Sequence, residues 1–125
     1  MKAITIGILA GIGISAFLFM NLFTSVTGSA TRGEYDAFAQ CLTDNGAVFY
    51  GSFQCVHCAT QKAMFGPSIK NINYVECGPL SGPMSLACVS AGVEAFPTWI
   101  INGTKYDGTQ SLDVLSKLSG CRIDA

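Results

Sequence analysis

Apolar residues fill almost every position from 3 to 23, AITIGILAGIGISAFLFMNLF, with Thr5, Ser15 and Asn21 as polar interruptions and no ionisable side chain between Lys2 and Arg32. A helix rising about 1.5 Å per residue covers about the 30 Å hydrocarbon thickness of a bilayer over such a length. The pattern predicts a membrane-spanning helix. The competing reading is a cleaved secretory signal, for which Val26 with Gly28, or Gly28 with Ala30, are small residues ahead of a cut. The run is longer than the roughly 7 to 15 residues usual there, which favours an anchor. Both readings export the rest, with Lys2 and the terminal amine staying on the cytoplasmic side. Gly7, Gly11 and Ser15 recur at four-residue spacing, as in close helix packing, but glycine is common in membrane helices without a partner.

The pattern then changes. TGSATRG at 27–33 is small and polar, a linker composition. Tyr35, Phe38, Ala39 and Leu42 recur at a helical period over 34–44, and Asn45-Gly46 stops the helix. AVFYG at 47–51 reads as a strand, 59–65 as a helix ended by Gly66-Pro67, and 72–77 as a second strand. A short helix is expected at 84–92. PTWII at 97–101 reads as a strand whose proline stands at its start, and Asn102-Gly103 turns it into an antiparallel partner at 104–107. Leu112, Leu115 and Leu118 make the apolar stripe of a last helix before Gly120. The chain thus divides into an anchor or signal at 1–26, a linker at 27–33 and an α/β domain at 34–125.

Composition narrows the partners. The 125 residues carry a net charge of −1 and no run of like charges, so there is no basic footprint for nucleic acid. The six cysteines are an even set in a short chain, which suits an oxidising compartment: periplasm, lumen or extracellular space.

The chemistry concentrates in Cys55-Val56-His57-Cys58, between a strand and a helix. Cys55 should stand at the helix N-terminus, where free N–H groups and the helix dipole favour a thiolate. Cys55 would form a mixed disulfide with a partner sulfur, and Cys58, one turn on, would resolve it. His57 lies between the two sulfurs, where a donor or positive charge would stabilise the thiolate further. The alternative is half a zinc site completed by Cys77, Cys88 and His57, but no second close cysteine pair is present. An inert staple is disfavoured because so short a loop hardly constrains the unfolded chain.

Several strings carry a resemblance: FAQCL at 38–42, GAVFYG at 46–51, CVHC, QKAMFG at 61–66, NYVEC at 73–77, FPTWIING at 96–103 and YDGTQSLDVLSKLSGC at 106–121. In this order the domain resembles the thioredoxin-like domain fused to bacterial vitamin K epoxide reductase homologues, over about 35–121. The resemblance implies a thioredoxin-like fold, a central mixed sheet flanked by helices, and a thiol:disulfide oxidoreductase with no cofactor beyond its redox-active disulfide. It implies that Pro97 is a cis proline facing the active cysteines and that the backbone at Phe96 pairs with a substrate peptide. Trp99 reads as core packing. Three positions depart from the family: Val56 replaces a usual proline, Gln54 a frequent tryptophan, and Phe49 the buried acid that thioredoxins carry six positions before the first cysteine. With one candidate span, quinone chemistry would belong to a membrane redox partner, for which a vitamin K epoxide reductase homologue is the expectation.

Connectivity of the other four cysteines is not readable from spacing. The expected structural bonds are Cys77 with Cys88 and Cys41 with Cys121, worth about 3 and about 4.5 kcal/mol on the chain-entropy account. The alternative is a relay in which Cys77 and Cys88 pass electrons to Cys55 and Cys58. The function expected is exchange of disulfides with protein thiols, in the donor direction. A reductase or isomerase would show much the same sequence. The rival class is a membrane-anchored carrier holding Cu(I) on Cys55, Cys58 and His57, since soft thiolates select that ion. No resident metal is expected otherwise.

Overall fold

The computed structural model describes residues 32–124. The apolar run at 3–23, and with it the expected anchor or signal, lies outside the described residues. Among the described residues no helix is long and apolar enough to cross a membrane.

The element order is helix α1 (Asp36–Asp44), strand β1 (Val48–Gly51), helix α2 (Val56–Phe65), a 3₁₀ segment (Gly66–Asn71), strand β2 (Tyr74–Glu76), short helix α3 (Leu86–Ser90), strands β3 (Thr98–Ile101) and β4 (Thr104–Asp107), and helix α4 (Leu112–Ser119). The boundaries differ from the sequence pattern in four places. Helix α2 begins at Val56, ahead of the good helix formers, because the Cys55 side chain caps it by accepting from Cys58 N–H. Gly66-Pro67 ends the α-helix at Phe65 as expected, and what the pattern does not show is the 3₁₀ segment that follows, whose first turn takes a proline because its missing N–H needs no partner. Strand β2 shrinks to Tyr74–Glu76, because Asn73 N–H is taken by the Thr43 hydroxyl of α1. Helix α3 keeps only Leu86–Ser90, with Val93 beyond it buried against Cys77 and Cys88.

The sheet order is β2-β1-β3-β4, with β1 and β2 parallel and the other pairs antiparallel. Both turn residues of the β3–β4 hairpin have positive φ, 51° at Asn102 and 78° at Gly103, the conformation a two-residue turn needs. This mixed four-stranded sheet with its helices fits the thioredoxin-like α/β architecture.

Register places Tyr74, Phe49, Trp99 and Tyr106 in one row across the four strands. Phe49 stacks on Trp99 with centroids 5.0 Å apart and meets Tyr74 edge-on at 5.0 Å. On this face Phe38 and Leu42 of α1, Phe65 of α2 and Leu115 of α4 complete the core. The other face is thinner, with Tyr50 and Val75 packed against the disulfide Cys77–Cys88. A second disulfide, Cys41–Cys121, ties α1 to the segment after α4.

Candidate active site

Strand alternation decides what faces the cysteine helix. Phe49 and Gly51 share one face of β1, and their register partners Tyr74 and Glu76 share the same face of β2. The chain leaves Gly51 through a tight turn in which Cys55 N–H donates to Ser52 O at 3.1 Å. Ser52 is buried and donates to Gly78 O at 2.6 Å, while Gln54 Oε1 accepts from Leu80 N–H at 2.9 Å. The turn before Cys55 is thus braced against the segment that the Cys77–Cys88 disulfide closes.

Cys55 and Cys58 are the unbonded cysteines among the described residues. Cys55 is the N-cap of α2, 9% exposed, and its Sγ accepts from Cys58 N–H at 3.1 Å. Cys58, one turn along, is fully buried. Cys55 is therefore the more accessible of the two. Burial pushes the Cys58 thiol up to about 12, helped by Cys55 beside it and opposed by a Ser52 backbone hydrogen bond and the Lys62 charge.

Glycine at 51 is a matter of space. A Cβ there would stand 3.0 Å from Cys58 Sγ and 3.1 Å from the Tyr74 ring. Gly51→Ala is therefore expected to cost about 1–3 kcal/mol and to slow the step that uses Cys58. Urea unfolding and the rate of mixed-disulfide resolution check this, and wild-type values in both would refute it.

The Phe96–Pro97 bond is cis, and Pro97 directly precedes β3. Tyr50 pairs with Thr98 across β1 and β3, so the proline lies at the sheet end from which Gly51 leads to Cys55. Phe96 is half-buried and packs on both core clusters. His57 is exposed, and its carbonyl accepts from the Thr109 hydroxyl at 3.3 Å. Phe49 is fully buried, so β1 brings no carboxylate to the pair. Cys77 and Cys88 are bonded to each other, which removes them from a zinc site with Cys55 and Cys58. Among the described residues no three metal-ligating side chains converge.

This chain is similar to a thiol-disulfide oxidoreductase. The relative, thiol-disulfide oxidoreductase LTO1 of Arabidopsis thaliana, is 44% identical over 93 residues, which is 70% of this chain. The chain spans 25% of that relative's length. No protein-family model matches.

Two further features were not legible in the motif. Phe53 and Val56, on either side of Cys55 in sequence, are 67% and 77% exposed, and Leu80 in the bracing segment is 57% exposed. The turn carrying the pair and the segment bracing it thus expose apolar side chains. The other feature is Gln61, one turn beyond Cys58 and fully buried. Its Oε1 accepts from Trp99 Nε1 at 3.0 Å and Gln110 N–H at 2.8 Å, and its Nε2 donates to Gln110 O at 3.0 Å. One amide fastens the cysteine helix to β3 and to the segment before α4. A lone glutamine in a helical stretch gives no sequence signal of this. The buried Trp99, whose N–H requires a partner, is the only hint.

Proposed function

We propose that this chain is a thiol:disulfide oxidoreductase that exchanges disulfides with protein thiols through Cys55 and Cys58. The observation that carries the reading is the capped helix start, which leaves Cys55 slightly exposed and keeps Cys58 fully buried one turn behind it. The named relative supports it. In this reading Cys55 bonds the partner sulfur and Cys58 displaces it, while the cis proline and the backbone at Phe96 align the partner strand. His57, between the two cysteines in sequence, is exposed in the turn beside them. No cofactor is needed beyond the disulfide itself.

The direction proposed is disulfide donation, supported by the cysteine-rich composition and the exported character of the sequence. The apolar run at 3–23 supports a single membrane tether with the domain in the periplasm, a lumen or the extracellular space. A tethered donor needs reoxidation by a membrane redox partner, for which the resemblance points to a vitamin K epoxide reductase homologue.

The test is the equilibrium potential of the pair in the full chain, read by alkylation in glutathione buffers with Cys55→Ser as control. A two-thiol transition near the roughly −120 mV of strong oxidants is expected. One near the roughly −270 mV of thioredoxin would make the protein a reductant. Absence of any transition dependent on Cys55 would overturn the oxidoreductase reading.

A further inference from the structure

Cys58 has a chemical difficulty that the motif does not resolve. To attack a mixed disulfide it must lose a proton, and burial among apolar side chains disfavours its thiolate. Some group must take that proton and return it. The titratable groups around this corner come from two elements: Cys55 and Lys62 of α2 act on Cys58, and on β2 Tyr74 interacts with both cysteines and with Glu76.

The space in front of Gly51 joins them. Cys58 Sγ and the Tyr74 hydroxyl lie 3.0 and 3.3 Å from the point where a side chain at 51 would begin, so both line one small gap. On its other side the Tyr74 hydroxyl donates to Glu76 Oε2. Glu76 Oε1 accepts from Phe53 N–H at 2.9 Å and Gly78 N–H at 3.1 Å. Lys62 Nζ sits 3.8 Å over the Tyr74 ring. Burial raises the Glu76 carboxyl, but the Tyr74 hydroxyl, these two N–H groups and Lys62 more than offset it, so Glu76 lies below the usual range and is ionised at neutral pH. Burial and the neighbouring Glu76 hold the Tyr74 phenol above its usual range. Tyr74 therefore does not persist as a phenolate. It passes protons only as it receives them.

Resting on the thiol-exchange reading, we propose that Tyr74 and Glu76 are the proton route of Cys58, acting through that thiol and not on the substrate. In the resolving direction the Cys58 proton moves to the Tyr74 oxygen as the Tyr74 proton moves to Glu76. The Cys58 thiolate then attacks Cys55 Sγ, the Cys55–substrate S–S bond breaks, and the electron pair leaves with the substrate sulfur as its thiolate. The pair is oxidised and the substrate disulfide reduced. In the donating direction a substrate thiolate attacks Cys55 of the Cys55–Cys58 bond, Cys58 departs as thiolate, and the proton returns from Glu76 through Tyr74. The same route serves both directions, as microscopic reversibility requires.

The experiment uses the reduced full chain and an equimolar chromogenic aromatic disulfide, which releases one coloured thiol when Cys55 attacks and a second when Cys58 resolves. Tyr74→Phe keeps the ring and removes the hydroxyl. Glu76→Gln keeps an acceptor for Phe53 and Gly78 and removes the base. In each variant the second release is expected to slow on the order of a hundredfold at neutral pH. Its rate should rise with pH between about pH 6 and pH 9, and the deficit against wild type should narrow as hydroxide takes over. The first release should keep the wild-type rate. Loss of packing alone would slow the step without this pH dependence. A wild-type pH profile of the second release in either variant overturns the proposal. If Glu76→Gln does not fold, Tyr74→Phe decides alone. Failure of the wild type to give a second release would instead sink the thiol-exchange reading.

Discussion

Cys58→Ser is expected to accumulate a stable mixed disulfide on Cys55 with any protein disulfide it meets, while Cys55→Ser accumulates none and loses exchange entirely. The asymmetry follows from depth. Cys55 Sγ caps α2 and is the slightly exposed cysteine of the two, whereas Cys58 is fully buried behind it. Removing the inner thiol leaves the first bond formed with nothing to break it. Serine is nearly isosteric, so Cys58→Ser should keep the core. Non-reducing electrophoresis and mass spectrometry after incubation with a disulfide-bonded protein provide the measurement. Trapping that survives in Cys55→Ser would mean that another cysteine is the point of contact, and the assignment of roles would fail.

The second large effect is on stability. Replacing Cys41 and Cys121 together by alanine is expected to cost about 4.5 kcal/mol, because the bond closes a loop of sequence separation 80 and removes much of the freedom of the unfolded chain. The Cys77–Cys88 bond, with separation 11, should be worth nearer about 3 kcal/mol. For a small domain with roughly 5–15 kcal/mol in all, the first loss brings unfolding close to ambient temperature. The long-loop bond is accompanied by hydrogen bonds: Asn45 Nδ2 donates to Ser119 O at 3.2 Å and to Cys121 Sγ at 3.3 Å, so the end of α1 is also joined to the end of α4 and the segment after it. Thermal melts of the double variant should fall on the order of 20 °C or more. A drop equal to or smaller than that of the Cys77/Cys88 double variant would contradict the loop-length argument.

Much of this fold is written in local signals. The alternation in AVFYG, the Asn102-Gly103 turn and the leucine stripe of α4 each have a short-range cause, so the element order could be read directly. The pair at a helix start was legible for the same reason, since a strand that runs into Cys55 must turn there. The cis geometry at Pro97 came from resemblance and not from residue pattern. Boundaries were less legible where a tertiary partner decides them. Cys58 N–H draws the start of α2 forward to Val56, and Thr43 takes the N–H of Asn73. Least legible was the inner wall of the site. Tyr74 and Glu76 look like ordinary strand residues, and Gly51 like an ordinary strand end. Only the parallel register of β1 with β2 brings Tyr74 to the space that Gly51 leaves beside Cys58, with Glu76 bonded to the Tyr74 hydroxyl.

The buried Gln61 amide has a kinetic consequence. By clamping α2 to two separate segments of the domain, it holds the helix that carries both cysteines in place. In the proposed exchange, attack by Cys58 would be a unimolecular event, and well-oriented neighbours of this kind behave as if present at about 10⁵ M or more. In that exchange a mixed disulfide on Cys55 would thus carry a built-in clock: a bound partner would be released on a timescale set by the protein's own geometry, whatever the concentration of free thiols around it.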